Sequence, residues 1–253
     1  MIFVFAGALL RVPAEALEKS DDIDTNRPSF MLSPLVVPRA SVQLENGALY
    51  QHFQHGLNYF DLTETQVRVG LTKKTEFQMY VPNCSITHQE HTPLTRSGVS
   101  DLGEVGIKRQ FGPIKNAQVA VTASLNLPTG STTISGPGVQ PVFRAPWTYP
   151  LNKNYAVGGM QSILVLNSGH DVQYQPDFLV SRSIGARASA FAEYVGFFTQ
   201  GSQAQQIAHF GAVYKPARHH QVDMHFGFGL DKAAPAAFIG CGYSFRFDRF
   251  PRF

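Results

Sequence analysis

The sequence predicts an all-β fold, a transmembrane antiparallel β-barrel of about twelve strands with short periplasmic turns and longer extracellular loops. Three observations predict it. Apolar and polar residues alternate with period two along most of the chain, and no segment keeps a helical period. Every second connection is a tight turn, while the others vary and include the longest. The last segment, 236–247, puts Ala237, Ile239, Cys241, Tyr243, Phe245 and Phe247 on one face and Gly240, Gly242, Ser244 and Arg246 on the other. An apolar face ending in three alternate aromatics suits lipid outside and a polar lumen inside.

Composition agrees. A length of 253 residues allows one barrel or one to two globular domains. Charged residues are 15 % of the chain, below the soluble average of about 25 %. No apolar run approaches the ~20 residues of a transmembrane helix, which excludes a helical membrane protein. A net charge of +3, with dispersed basic residues, does not argue for nucleic acid. The two cysteines, Cys84 and Cys241, lie far apart and are expected to stay unpaired.

The elements follow in order. Residues 1–16 hold an apolar stretch before Ala14-Glu15-Ala16 and fit a signal peptide, truncated because the positive start is missing. Residues 17–39 contain Pro28, Pro34 and Pro38 and predict an extended, irregular segment. It is either a disordered periplasmic lead-in or a plug in the lumen. If it is a plug, Asp24 and Arg27 are the anchors, with Glu45 or Glu64 as a two-point partner for the Arg27 guanidinium.

The barrel spans 40–247. Strands are expected near 40–53, 57–71, 74–84, 101–111, 116–128, 139–149, 154–166, 171–184, 187–199, 204–216, 219–230 and 236–247. The longest links are 85–100 and 129–138, and an even strand count leaves both termini periplasmic. Residues 248–253 form a C-terminal tail. Val222, Met224, Phe226 and Phe228 should face lipid, with Gln221, Asp223 and His225 inward. The full set of lumen-lining candidates is Glu45, Glu64, Arg68, Glu76, Glu104, Lys108, Arg144, Asp177, Glu193, His209, Asp223, His225 and Arg246. Both signs are present, so the set reads either as a salt-bridged filling or as the wall of a permeation path. Arg109 and Arg182 fall outward at strand ends, where an Arg can snorkel to headgroups.

Nine histidines raise a metal reading. His88 and His91 share a loop, and His219 and His220 are neighbours whose side chains point to opposite faces. Convergent ligands are not evident, so no metal and no cofactor is expected. An enzymatic barrel would need a nucleophile with a base in reach. His52, near the outer rim, is the least implausible base, and no partner for it is apparent; the chain does not read as an enzyme.

Several stretches carry a resemblance: Asp24-Thr-Asn-Arg-Pro-Ser-Phe30, Val37-Pro-Arg-Ala-Ser-Val-Gln-Leu-Glu-Asn-Gly47, Glu64-Thr-Gln-Val-Arg-Val-Gly-Leu-Thr72, Leu127-Pro-Thr-Gly130, His225-Phe-Gly-Phe-Gly229 and Gly242-Tyr-Ser-Phe-Arg-Phe247. Together they resemble a bacterial outer-membrane "transporter" family whose members are labelled meta-pathway phenol-degradation proteins. The resemblance implies a porin-like channel for passive uptake of small, aromatic or apolar solutes. A closed structural or surface-binding barrel is the alternative. Residues 236–247 also resemble the signal by which the barrel assembly machinery recognises its clients, with Tyr243, Phe245 and Phe247 as its aromatics. Outer-membrane lipid, that machinery and a small solute are the partners this implies.

Overall fold

The structure, a computed structural model, describes residues 22–92 and 95–248. The expected signal peptide and the tail beyond Asp248 lie outside the described residues. Period-two alternation produces fourteen strands: β1 (Ser41–His52), β2 (Leu57–Thr72), β3 (Thr75–Val81), β4 (Cys84–Gln89), β5 (Thr95–Val99), β6 (Leu102–Gln110), β7 (Gln118–Leu127), β8 (Gln140–Pro150), β9 (Tyr155–Leu166), β10 (Asp171–Ile184), β11 (Ala188–Thr199), β12 (Gln205–Ala217), β13 (His220–Gly229) and β14 (Ala237–Asp248).

All pairings between these strands are antiparallel, and β1 pairs with both β14 and β2, so the sheet closes on itself. β3 and β4 pair with successive halves of β2 and form one stave, interrupted at Pro82 and Asn83. β5 and β6 pair with β4 and β3 in turn and form the next stave, interrupted at Ser100 and Asp101. Counted this way the wall has twelve staves, and closure leaves it without a free edge. Both cysteines are free and exposed.

One expectation fails. Residues 85–100 are not a long loop; most of them form the β4–β5 hairpin. The hairpin stands beyond the end of β7, which pairs with its neighbour only from Leu102 on. Most of β5 is exposed, so no apolar face imposes an alternation that the sequence could reveal. The link 128–139 folds against the hairpin, with Ser131 N–H bonded to the Val99 carbonyl at 2.9 Å.

The burial pattern inverts that of a soluble protein. Among the largest fully buried side chains are Arg68, Lys108, His209, Gln43, Gln66, Glu45 and Glu76. Large apolar side chains such as Phe143, Phe226, Met224 and Phe247 are half exposed or more. In water such a surface would be an aggregation liability; in a bilayer it is the lipid face. Tyr243 and Phe247 lie on that face, as do Arg109 and Arg182 at the inner rim.

Candidate functional site

Residues 22–39 form neither strand nor helix and cross the lumen. An irregular segment has no ladder to satisfy its amides; Asn26 and Ser33 take those of Ser33 and Leu35, and the wall takes several of the others. Three inward glutamates perform this task. Glu45 Oε2 accepts the N–H groups of Asn26 and Arg27 at 2.8 and 3.1 Å. Glu193 accepts those of Phe30 and Met31 at 3.0 and 2.8 Å. Glu76 accepts that of Val37 at 2.6 Å.

Arg68 ties the first and third grips together. Its guanidinium donates to Glu45 at 2.8 Å, to Glu76 at 2.9 and 3.0 Å, and to the carbonyls of Asp24 and Leu35, both at 3.0 Å. Lys108 Nζ lies 3.0 Å from Glu76 and 3.1 Å from Asn26 Oδ1. Glu45, Arg68, Glu76 and Lys108 are all 0 % exposed. Burying such charges is costly, and only dense pairing makes it tolerable.

Arg27 reaches Glu64 at 3.0 Å, Asp223 at 3.4 Å and the Cys241 carbonyl at 3.2 Å. Glu45 meets its backbone N–H, not its side chain. The guanidinium lies over Gly47 and Gly242, which face each other across β1 and β14. A Cβ at either glycine would overlap it, which explains why both positions lack a side chain. Asp24 is held differently from expectation. Its backbone carbonyl takes the bonds from Gln43 and Arg68, while its Oδ1 is buried with no hydrogen bond.

The other lumen candidates pair along the wall. Arg144 makes a two-point contact with Glu104 at 2.6 and 3.2 Å and donates to Ser162 and Gln175. Arg246 pairs with Asp248 at 2.7 Å. A buried row, not recognised as such in the sequence, crosses β10 to β13. His209 Nδ1 is 2.5 Å from Glu193 Oε2, and His209 Nε2 is 3.0 Å from His225 Nδ1. Asp177 adjoins the row from β10. The sequence does hold a signal: Glu193, His209 and His225 are sixteen residues apart in turn. An even spacing across hairpins keeps all three on the inward face.

The remaining histidines are scattered. His88 meets Thr95, His219 meets Asp248, and His220 meets the Tyr243 hydroxyl. The His52 ring meets Asn58 Oδ1 at 2.9 Å. Among the described residues, no group of three or more His, Cys, Asp or Glu side chains is arranged to hold a metal ion.

Two cavities flank the segment. One of about 360 Å³ opens toward the loop side, between Phe30, Phe197, Phe238, Leu49, Asp177 and His225. The other, of about 240 Å³, lies toward the tight-turn side near Thr148, Ser181, Ser189 and Lys215. Arg27, Pro28 and Ser29 line both.

A family model described as "Putative MetA-pathway of phenol degradation" matches residues 25–247. Among solved structures, the COG4313 outer membrane channel from Pseudomonas putida F1 is similar with a TM-score of 0.66 at 13 % identity, covering 89 % of this chain and 100 % of that one. The NanC porin gives 0.53 at 9 % identity, with 83 % and 100 % covered. The KdgM porin in complex with oligogalacturonate gives 0.53 at 8 %, with 82 % and 99 % covered. At these identities the likeness is one of fold, that of bacterial outer-membrane barrels. No curated protein matches the sequence.

Proposed function

This chain belongs to the family described as "Putative MetA-pathway of phenol degradation", and we propose that it is a passive channel for small solutes with a plug built into its own N-terminus. It is an outer-membrane β-barrel. The observation that carries the reading is the pair of cavities on either side of residues 27–29, which line both. One side of the outer cavity is formed by Phe30, Phe197, Phe238 and Leu49, which suits a solute with an aromatic or aliphatic body, and the remainder is largely polar, with Glu64, Glu104 and Arg144 among it. A barrel that acts without chemistry is supported by the contacts of its histidines: His52 meets the Asn58 amide, and His209 meets Glu193 and His225.

Single-channel recording in a planar bilayer tests this. Deleting residues 22–36 should raise the step conductance of the refolded barrel. If the deleted protein folds with heat-modifiable mobility yet passes no current, the channel reading is wrong. A closed, surface-binding barrel is the second reading, favoured by the number of bonds on the segment and by the exposed β4–β5 hairpin. Silence of the deleted, folded barrel is its expected result.

Assembly is proposed to depend on the aromatics of β14. Replacing Phe245 and Phe247 by Ser should leave the chain unassembled in the periplasm. Normal levels of folded barrel would refute that role.

A further inference from the structure

The outer cavity has an apolar wall and, on that wall, buried polar atoms that nothing in the fold uses. Both carboxylate oxygens of Asp177 and the Nε2 of His225 are buried without a hydrogen-bond partner. Asp177 is 4 % exposed and His225 7 %, and both line the cavity. Buried polar atoms are nearly always satisfied, so such a pair facing a cavity points to a ligand.

The sense of these atoms follows from the row behind them. Glu193 accepts amide N–H groups at both oxygens and therefore acts as an acceptor. Its third contact, His209 Nδ1, must then be the donor. In a neutral ring this leaves His209 Nε2 bare, to accept Nδ1–H of His225. With that tautomer His225 Nε2 is bare in turn, an acceptor on a side chain that lines the cavity. Asp177 also offers an acceptor, since even a proton shared with Glu193 leaves one of its oxygens free to accept. Both guanidinium groups on the cavity wall are ion-paired, Arg27 with Glu64 and Asp223 and Arg144 with Glu104, although Arg27 Nε is left without a partner.

We propose that Asp177 and His225 form the polar end of a binding site in the outer cavity for a solute with an apolar body and a hydrogen-bond donor head, a hydroxyl or an ammonium. This rests on the channel reading and deepens it, by stating which head group the channel takes. At that end a carboxylate would set an acceptor against two acceptors. A cavity of about 360 Å³ accommodates a single-ring solute.

Four probes of one shape test it: benzyl alcohol, benzylamine, anisole and benzoate, titrated calorimetrically into the refolded full chain. Benzyl alcohol and benzylamine should bind at least about tenfold more tightly than anisole or benzoate, a difference of one hydrogen bond to a buried acceptor. Asp177→Asn should weaken benzylamine most, and His225→Phe should weaken benzyl alcohol most. If either variant fails to fold, the head-group series on the unsubstituted chain still decides. Equal binding of all four probes, tighter binding of benzoate, or variants that fold and bind both donors unchanged would each overturn the site. The conductance of the chain lacking residues 22–36 is read separately. Current with no head-group preference defeats this inference alone, whereas head-group preference without current defeats the channel reading alone.

Discussion

Two charged clusters hold the same segment from two sides of the lumen, and they are finished differently. Around Arg68, the carboxylates of Glu45 and Glu76 are engaged by Arg68, Lys108 or Gln43 and by amides of the segment. Around His209, one glutamate grips the segment while the ends of the row, Asp177 and His225, keep free acceptors. The Arg68 cluster spends its ion pairs on structure, although Gln43 Oε1 and Asp24 Oδ1 beside it are also left over. The His209 row leaves its spare acceptors on residues that line the outer cavity. A buried network therefore speaks of function through the atoms it leaves over, more than through the pairs it makes.

The largest effect that separates the clusters should come from Arg68→Met. It leaves Glu45 without its cation and Glu76 with Lys108 alone in a buried site, and breaking a buried pair this way costs about 3–5 kcal/mol. Urea titration of the folded, heat-modifiable form should register the loss. Glu193→Gln should cost less, about 1–3 kcal/mol, because an amide oxygen can still accept from Phe30 or Met31. Its clearer readout is electrical: current fluctuations should rise in the full chain and show no change in a chain already lacking residues 22–36. Identical effects in both backgrounds would mean that Glu193 does not act through the segment.

Gly47→Ala tests the ground between the clusters. The new methyl overlaps the Arg27 guanidinium, and the displacement should cost about 1–3 kcal/mol. Arg27→Ala in the same chain should remove most of that penalty, a coupling that a double-mutant cycle measures.

The smallest effect lies outside both clusters. Asp101 sits in the break between β5 and β6 and accepts from the Ser135 hydroxyl and the Gly130 and Gly136 amides. Burial pushes its pKa up, but these bonds outweigh burial and hold it below its ordinary 3.8. A carboxyl with a depressed folded value stabilises above its unfolded value, and the contribution fades as pH falls through the folded one. Amide exchange in 129–136 should accordingly speed up below about pH 3.8, while the strands stay protected. Uniform protection of that link down to lower pH would discount the role of Asp101.

The wall was legible in the sequence because the bilayer makes alternation compulsory. From β7 to β14 the expected and observed strands agree within two residues at each end. Legibility stopped where that constraint stops, at the β4–β5 hairpin beyond the membrane. Inward parity identified the lumen charges one by one, but not which of them would meet. Arg27 could be matched to Glu64 because a guanidinium needs a carboxylate. The grips of Glu45, Glu76 and Glu193 on backbone amides leave no mark on the residues gripped. The His209–His225 contact depends on strand register, which parity alone does not fix.

The seat of Arg27 has a consequence for how the molecule is made. Its partners come from β2, β13 and the carbonyl of Cys241 in β14, and it rests on the seam where first and last strands meet. None of the late partners exists near it until the chain has been synthesised to its end and the cylinder has shut. Arg27 is therefore placed as a gauge of closure: its full set of bonds is available only to a barrel zipped in the correct register, and a misaligned seam would leave its charge part-paired inside the lumen. The segment proposed to plug the finished lumen is also the part of the chain best placed to proofread it.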